Sequence, residues 1–456
     1  IQALPAAQSS GLLVQENIAT LVRMSDQLAS APLEQNTSAP TKLQNEALDE
    51  LRSLTKTFSS QPKNEAGLWG DFFQTLVLHL PGSHNNYEWA SSLPNTGARH
   101  PSKSMTPAVL SMIAEVFNNE VPKEVQALVI QNLVVNLLLC ICSKHSDERP
   151  EIWRPGAEAF IAIAGTGVQA LNDSKEVKGN EKLRIWMVMA AGLKSFLLTS
   201  DRDIDPRARE SLDEAQQSEQ IDISVANCLV SDLLPHAPSH EVEVALVSIL
   251  DGAVAELSAM PAVPDTEKPH SYRFHLADAC LENLFDLSSA PDPEDNEHPP
   301  ERAVALAKLT APIVLRTCNS IFEDYVRDEA EASTCPLPRA RIEQVVSAAR
   351  RLQALEVEPE VCQHTYEQLC QSGVMQNTAR KSGQVAEKPY LGRSGRRGHL
   401  MLLYTPMCKC ISSNNPMLRD SLRSMLEMVG WEVGLGGLSW GSNLGRDGRA
   451  PIGPNP

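Results

Sequence analysis

Two strings in the chain have the spacing of reactive sites. Gly437-Leu-Ser439-Trp-Gly441 matches a nucleophile elbow, in which a serine on a sharp strand-to-helix turn attacks an acyl carbon and a later histidine takes its proton. The last histidine, His399, comes before it, and the string sits in a glycine-rich tail, 431–456. Lacking a proton acceptor and a preceding strand, this tail reads as a disordered terminus. Gly165-Thr-Gly167-Val-Gln-Ala170 satisfies the dinucleotide pattern G-x-G-x-x-A, whose glycines let a pyrophosphate approach the backbone where a helix begins. The residues ahead of it, Ala157 to Ala164, suit a small-residue helix rather than a strand, and no second βαβ unit follows.

Metal and thiol chemistry fare no better. Ten cysteines stand at 140, 142, 228, 280, 318, 335, 362, 370, 408 and 410. Cys140/Cys142 and Cys408/Cys410 are two apart, which on a helix points them to nearly opposite faces, and no histidine cluster accompanies them. Most lie inside apolar runs, where a reduced cysteine acts as a small hydrophobe, so a reducing, cytosolic compartment is expected. The eleven histidines form no H-E-x-x-H, and no G-x-x-x-x-G-K-[ST] loop is present. The expectation is a chain with no catalytic residue, no metal and no cofactor.

Charge narrows the partners. A formal net charge of -17 argues against a general nucleic-acid binder, which neutralises phosphates with excess Lys and Arg. The surplus acid gathers in Asp201 to Asp222 and Asp292 to Glu301, which read as solvated connectors. One stretch departs from this background. Arg380, Lys381, Lys388, Arg393, Arg396 and Arg397 lie in a glycine-bearing insertion, 373–398, with only Glu387 opposing them. Such a loop either adsorbs to anionic headgroups, at about 1 kcal/mol per charge near the surface, or is a solvated insertion between two helices.

These residues need elements to carry them, and the elements are helices. With 42% hydrophobic but only 5% aromatic residues, the chain is long enough for a large core yet poor in strand formers. Apolar residues recur at three- and four-residue spacings through Gly11–Ala29, Thr41–Phe58, Leu68–Leu80, Pro107–Phe117, Val121–Cys142, Pro155–Leu171, Leu183–Leu198 and Ile221–Leu234. The pattern continues through Glu241–Leu257, Tyr272–Leu287, Arg302–Val326, Pro338–Leu355, Val361–Cys370, His399–Ile411 and Pro416–Val429. Thr106-Pro107 and Asn415-Pro416 place a capping side chain before a proline at the first helical position, and Thr41 with Gln44 fits a capping box.

The most apolar run, Gln126 to Cys142, is interrupted by Gln131, Asn132 and Asn136. It reads as an interior helix, apolar nearly all round, with its amides at interhelical hydrogen bonds. Short connectors fold such helices back on one another. The predicted fold is all-α, an α-solenoid of HEAT- or armadillo-like antiparallel helical pairs over 1–430, each pair burying its stripe against the next. The chain starts at Ile1 with an amphipathic pattern and no signal peptide, and is expected to be part of a longer polypeptide.

One block is more specific than packing. Tyr325-Val-Arg-Asp-Glu329 is followed after five residues by Cys335-Pro-Leu-Pro-Arg339 and the helix Ile342, Val345, Val346, Ala349, Leu352. Pro336 and Pro338 restrict Cys335 and Leu337 to extended backbone, giving a rigid turn with Leu337 packed inward as a staple. Leu403-Tyr404-Thr-Pro-Met-Cys-Lys-Cys-Ile411 then leads into a helix with Leu418, Leu422, Met425 and Val429. Together these resemble the C-terminal region of the monensin-sensitivity, or MON-two, family. Upstream, Val225-Ala-Asn-Cys-Leu-Val-Ser-Asp-Leu-Leu-Pro-His236 and Arg184-Ile-Trp-Met-Val-Met-Ala-Ala-Gly-Leu-Lys-Ser-Phe196 follow the family's order, so the resemblance covers about 180 to 430. The basic insertion and the tail depart from it.

The resemblance implies a large helical-repeat protein related to the BIG and GBF Arf exchange factors but without their exchange domain. It implies a cytoplasmic scaffold, peripheral on trans-Golgi and endosomal membranes, acting in endosome-to-Golgi recycling and sorting. A Dopey-family protein, a type IV P-type ATPase lipid flippase and Arf-like GTPases are the partners it implies. The fold alone equally suits another solenoid adaptor, such as a nuclear transport receptor or a phosphatase scaffold.

Overall fold

The structure, a computed structural model, describes residues 42–58, 65–81, 88–91, 105–145, 150–198, 212–259, 274–290, 301–331, 337, 339–374, 395–411, 413 and 415–432. Every regular element among these is helical. They fall into two compact units, Ile1–Ile249 and Leu250–Pro456. The predicted helix Gly11–Ala29, the Thr41 cap, the residues 375–394 of the insertion and the tail beyond 432 lie outside the described residues.

The first unit holds α1 (Lys42–Phe58), α2 (Glu65–Val77), α3 (Glu88–Ser91), α4 (Thr106–Asn119), α5 (Lys123–Cys142), α6 (Pro150–Asp173), α7 (Gly179–Leu198) and α8 (Leu212–Cys228). Its long helices form two layers. α4, α6 and α8 are successive neighbours in one, and α2, α5 and α7 in the other. α5 and α6 run antiparallel, because Gly156 lies against Cys140 while Gly167 lies against Ile130. Glycine at these two positions lets the helix backbones close up. A Cβ on Gly167 would stand 2.3 Å from the Ile130 Cδ1, so the dinucleotide-like string is a packing seam inside α6.

α5 is the axis of this unit. Lys123–His145 is long and apolar enough to cross a bilayer, yet 83% of its most apolar window is buried inside the protein. Its amides do what the sequence expects of an interior helix. Gln126 donates to the Phe117 and Val121 carbonyls at 3.1 and 3.2 Å, and Asn132 to Gln74 Oε1 at 2.7 Å. At the α1–α2–α4 junction Phe58, Trp69, Phe72, Phe73 and Phe117 form a chain of ring contacts, with centroids 4.9 to 6.3 Å apart. Edge-to-face geometry dominates it, as the ring quadrupoles favour.

The second unit takes up within α9 (His240–Ala259) and continues with α10 (Phe274–Ser288), α11 (Glu301–Glu331), α12 (Arg339–Ala354), α13 (Pro359–Gln371), α14 (His399–Leu402), α15 (Tyr404–Cys410) and α16 (Pro416–Glu432). α11 is its long central rod, packed on α10, α12, α13 and α15. Ion pairs join helices two apart in the chain. Arg316 meets Asp251, Lys308 meets Glu360, and Arg351 holds Asp278 at 2.9 and 3.1 Å. At the surface each contributes little, under about 1 kcal/mol, and each joins helices that the apolar core already holds together.

Several local expectations are corrected. Thr106 does not cap α4: Met105 stands at the N-cap, and Thr106 Oγ1 donates instead to the His79 carbonyl at 3.0 Å. Asn415 does cap α16, accepting from the amides of Met417 and Leu418 at 3.0 and 3.2 Å. α6 starts at Pro150, leaving Pro155 inside its second turn. His399–Ile411 is two helices, α14 and α15, because Pro406 has no N–H for the Leu402 carbonyl and its ring crowds it. The acidic run Asp201–Asp222 is not wholly a connector. α8 begins at Leu212, and Asp222 is completely buried in it.

Candidate functional site

The signature residues build a polar clasp at the end of α11. Tyr325 and Glu329 are four apart on one stripe of that helix, and Asp324 and Asp328 on the neighbouring one. Tyr325 Oη and Ser413 Oγ, between α15 and α16, are 2.9 Å apart, and Ser413 donates to Glu329 Oε1 at 2.9 Å. Arg341, 3% exposed in the first turn of α12, reaches Asp328 Oδ2 through both Nε and Nη2 at 2.9 Å. Its Nη1 donates to Gln344 at 2.9 Å, while Arg327 donates to Asp324 at 2.6 Å. Burial raises the Tyr325 hydroxyl above its usual range, and the neighbouring Glu329 carboxylate adds to the shift. The clasp ties α11 to α12 and to the α15–α16 corner.

The upstream block forms a second unusual feature. Leu229–Leu233 is a π-helical turn continuing α8, followed by the 3-10 turn Leu234–His236. Pro235 explains the widening: an α-helical path would drive its ring into the Ser231 carbonyl. The wide turn seats Asp232 on Gly165 of α6, where a Cβ would lie 3.2 Å from the Asp232 Cβ. Asn172, at the end of α6, donates to the His236 carbonyl at 2.5 Å and accepts from Trp186 Nε1 at 3.2 Å.

Sequence reasoning missed the enclosed charge of the first unit. Lys144, in the 3-10 turn after α5, is paired with Asp222 at 2.5 Å. Its ammonium also sits 4.8 Å from the Trp153 ring centroid and 4.9 Å from that of Phe196. Neither residue carries a local signal, since the partners are on different helices.

The other expected residues are placed as follows. Arg396 is 2.9 Å from Glu358 and 3.7 Å from Glu356, and Arg397 is 3.8 Å from Glu356. These two members of the basic group are therefore engaged within the fold, which the sequence, counting only Glu387, did not show. Arg380, Lys381, Lys388 and Arg393 lie outside the described residues, as do Cys335, Pro336 and Pro338. Leu337, expected to pack inward, is half-buried. Arg339 opens α12. Tyr404, at the start of α15, is 36% exposed.

The thiols behave as core groups. Cys140 donates to the Ile152 carbonyl on α6 and Cys142 to the Gly192 carbonyl on α7, at 3.8 and 3.6 Å, so the pair does diverge. Burial pushes Cys318, Cys362 and Cys410 up to about 12. One cysteine and one histidine do meet: the backbone N–H of His399 is directed at the Cys362 sulfur. Burial lowers the His399 ring to about 4, while its Nε2 donates to the Leu352 carbonyl at 3.0 Å. The contact to the sulfur runs through the backbone while the ring Nε2 is engaged by Leu352, so the two side chains do not make the thiol–imidazole hydrogen bond of a nucleophilic pair. Among the described residues no group of three or more His, Cys, Asp or Glu is arranged to hold a metal ion.

Stacked helices whose polar interior serves packing define a helical-repeat protein of the α-solenoid class. The family model for the C-terminal region of Mon2 protein matches residues 105–361, and the chain belongs to that family. A MON2 homolog of Xenopus laevis is 20% identical over 230 residues, covering 50% of this chain and 13% of that protein. The human MON2 homolog gives the same figures, and the monensin-resistant homolog 2 of Caenorhabditis elegans is 20% identical over 237 residues, 51% of this chain and 14% of its own length. The matched stretch is thus a small part of these relatives. The family match starts earlier than the motifs suggested, taking in α4 to α6, and stops at Val361, before the Tyr404 block.

Proposed function

We propose that this chain is a segment of a non-enzymatic scaffold that acts in endosome-to-Golgi and trans-Golgi vesicle traffic and protein sorting. The scaffold is peripheral on the cytoplasmic side of those membranes and presents helical surfaces to a Dopey-family protein, a type IV P-type ATPase flippase and Arf-like GTPases. The observation that supports this best is the family match over 105–361, which falls on helices whose buried polar groups are engaged in holding one helix to the next. Such a stack binds through its exposed faces and needs no reacting group. The four cations Arg380, Lys381, Lys388 and Arg393 would add attraction to anionic headgroups.

The test is localisation and pull-down of the full-length protein with and without residues 42–432. Recruitment of the intact protein to Golgi and endosomal membranes, with partners lost on deletion, is expected. A diffuse or nuclear distribution of the intact protein would favour another solenoid adaptor and overturn the trafficking reading.

A further inference from the structure

We draw no further inference here: the strongest candidate, the acidic stretch 292–300 and the basic insertion 375–394, whose bases are fastened side by side on the link between α12 and α13 where Ala290 donates to the Glu356 carbonyl and Val357 to the Arg396 carbonyl, carries nothing because the charges themselves lie outside the described residues and nothing in the structure shows that the two stretches meet.

Discussion

Lys144 and Asp222 form an ion pair enclosed by the first unit, with side-chain exposures of 7% and 0%, although 78 residues separate them in sequence. The pair closes α5 onto α8, and the Trp153 and Phe196 rings flank the ammonium. Removing one partner leaves a charge with no solvent to receive it. Asp222→Ala is expected to cost about 3–5 kcal/mol, and adding Lys144→Met should recover most of that loss. Hydrogen exchange in α5 and α8 across a urea series checks both variants, and a single-variant loss below about 1 kcal/mol would rule out an enclosed charge.

Gly167 reverses the usual rule for helical glycines. Alanine in a helix interior normally stabilises by about 1 kcal/mol relative to glycine. Here the added methyl meets Ile130 Cδ1 and Cγ1 at 2.3 and 2.6 Å, so Gly167→Ala should instead destabilise by about 1–3 kcal/mol. Denaturant midpoints of the two proteins decide the sign.

The clasp at the end of α11 depends on the fork of Arg341. Arg341→Met removes both bonds to Asp328 and leaves that 8% exposed carboxylate with the Arg327 guanidinium 3.9 Å away, while Asp324 keeps its bond from Arg327. A loss of about 3–5 kcal/mol is expected. Arg341→Lys should recover only part of it, because an ammonium cannot reproduce two directed N–H bonds. Unfolding followed by hydrogen exchange at α11 and α12 separates the three proteins.

His399 makes the second unit sensitive to acid. Burial holds its ring at about 4, against a usual value of 6.5, with the Arg397 charge lowering it further and the Leu352 and Arg396 backbone opposing. The unfolded chain therefore takes up more protons between these values. The neutral ring's contribution is complete above the unfolded value and is lost as pH falls from 6.5 towards 4, by at most about 3 kcal/mol. His399→Gln should flatten this part of the stability–pH curve, and an unchanged slope between pH 6.5 and 4.5 would contradict it.

Thiol labelling should follow burial. Cys318 and Cys410 are fully buried, whereas Cys370 and Cys408 are partly exposed. Iodoacetamide at neutral pH is expected to modify Cys370 and Cys408 well before the buried thiols, which should react only on unfolding. Peptide mapping by mass spectrometry reads the order.

Most of the helical pattern was legible because an amphipathic stripe is a local signal. The all-round apolarity of α5 placed it in the interior, and Asn415 announced its own cap. What stayed hidden depends on residues far apart in the chain. Asp222 looks like one acid in an acidic run until Lys144 is brought to it, and Arg396 looks free until α12 ends beside it. Thr106 had the right type and position for a cap, but the His79 carbonyl, in the turn after α2, competed for its hydroxyl. The signature block was recognisable as a string, while the reason for its residues, two stripes of polar groups on one helix, appears only when α12 and the α15–α16 corner close over them.

The short link from α12 to α13 has one last consequence. Glu356 accepts from the Ala290 amide and Val357 donates to the Arg396 carbonyl, both at 2.7 Å. The chain that departs after α13 is therefore fastened again at its base, like a handle riveted at both ends. Closing a longer loop costs only about 0.6 kcal/mol per doubling of length. Changing the length of the sequence between Val374 and Gly395 is therefore expected to leave the helices on either side in register.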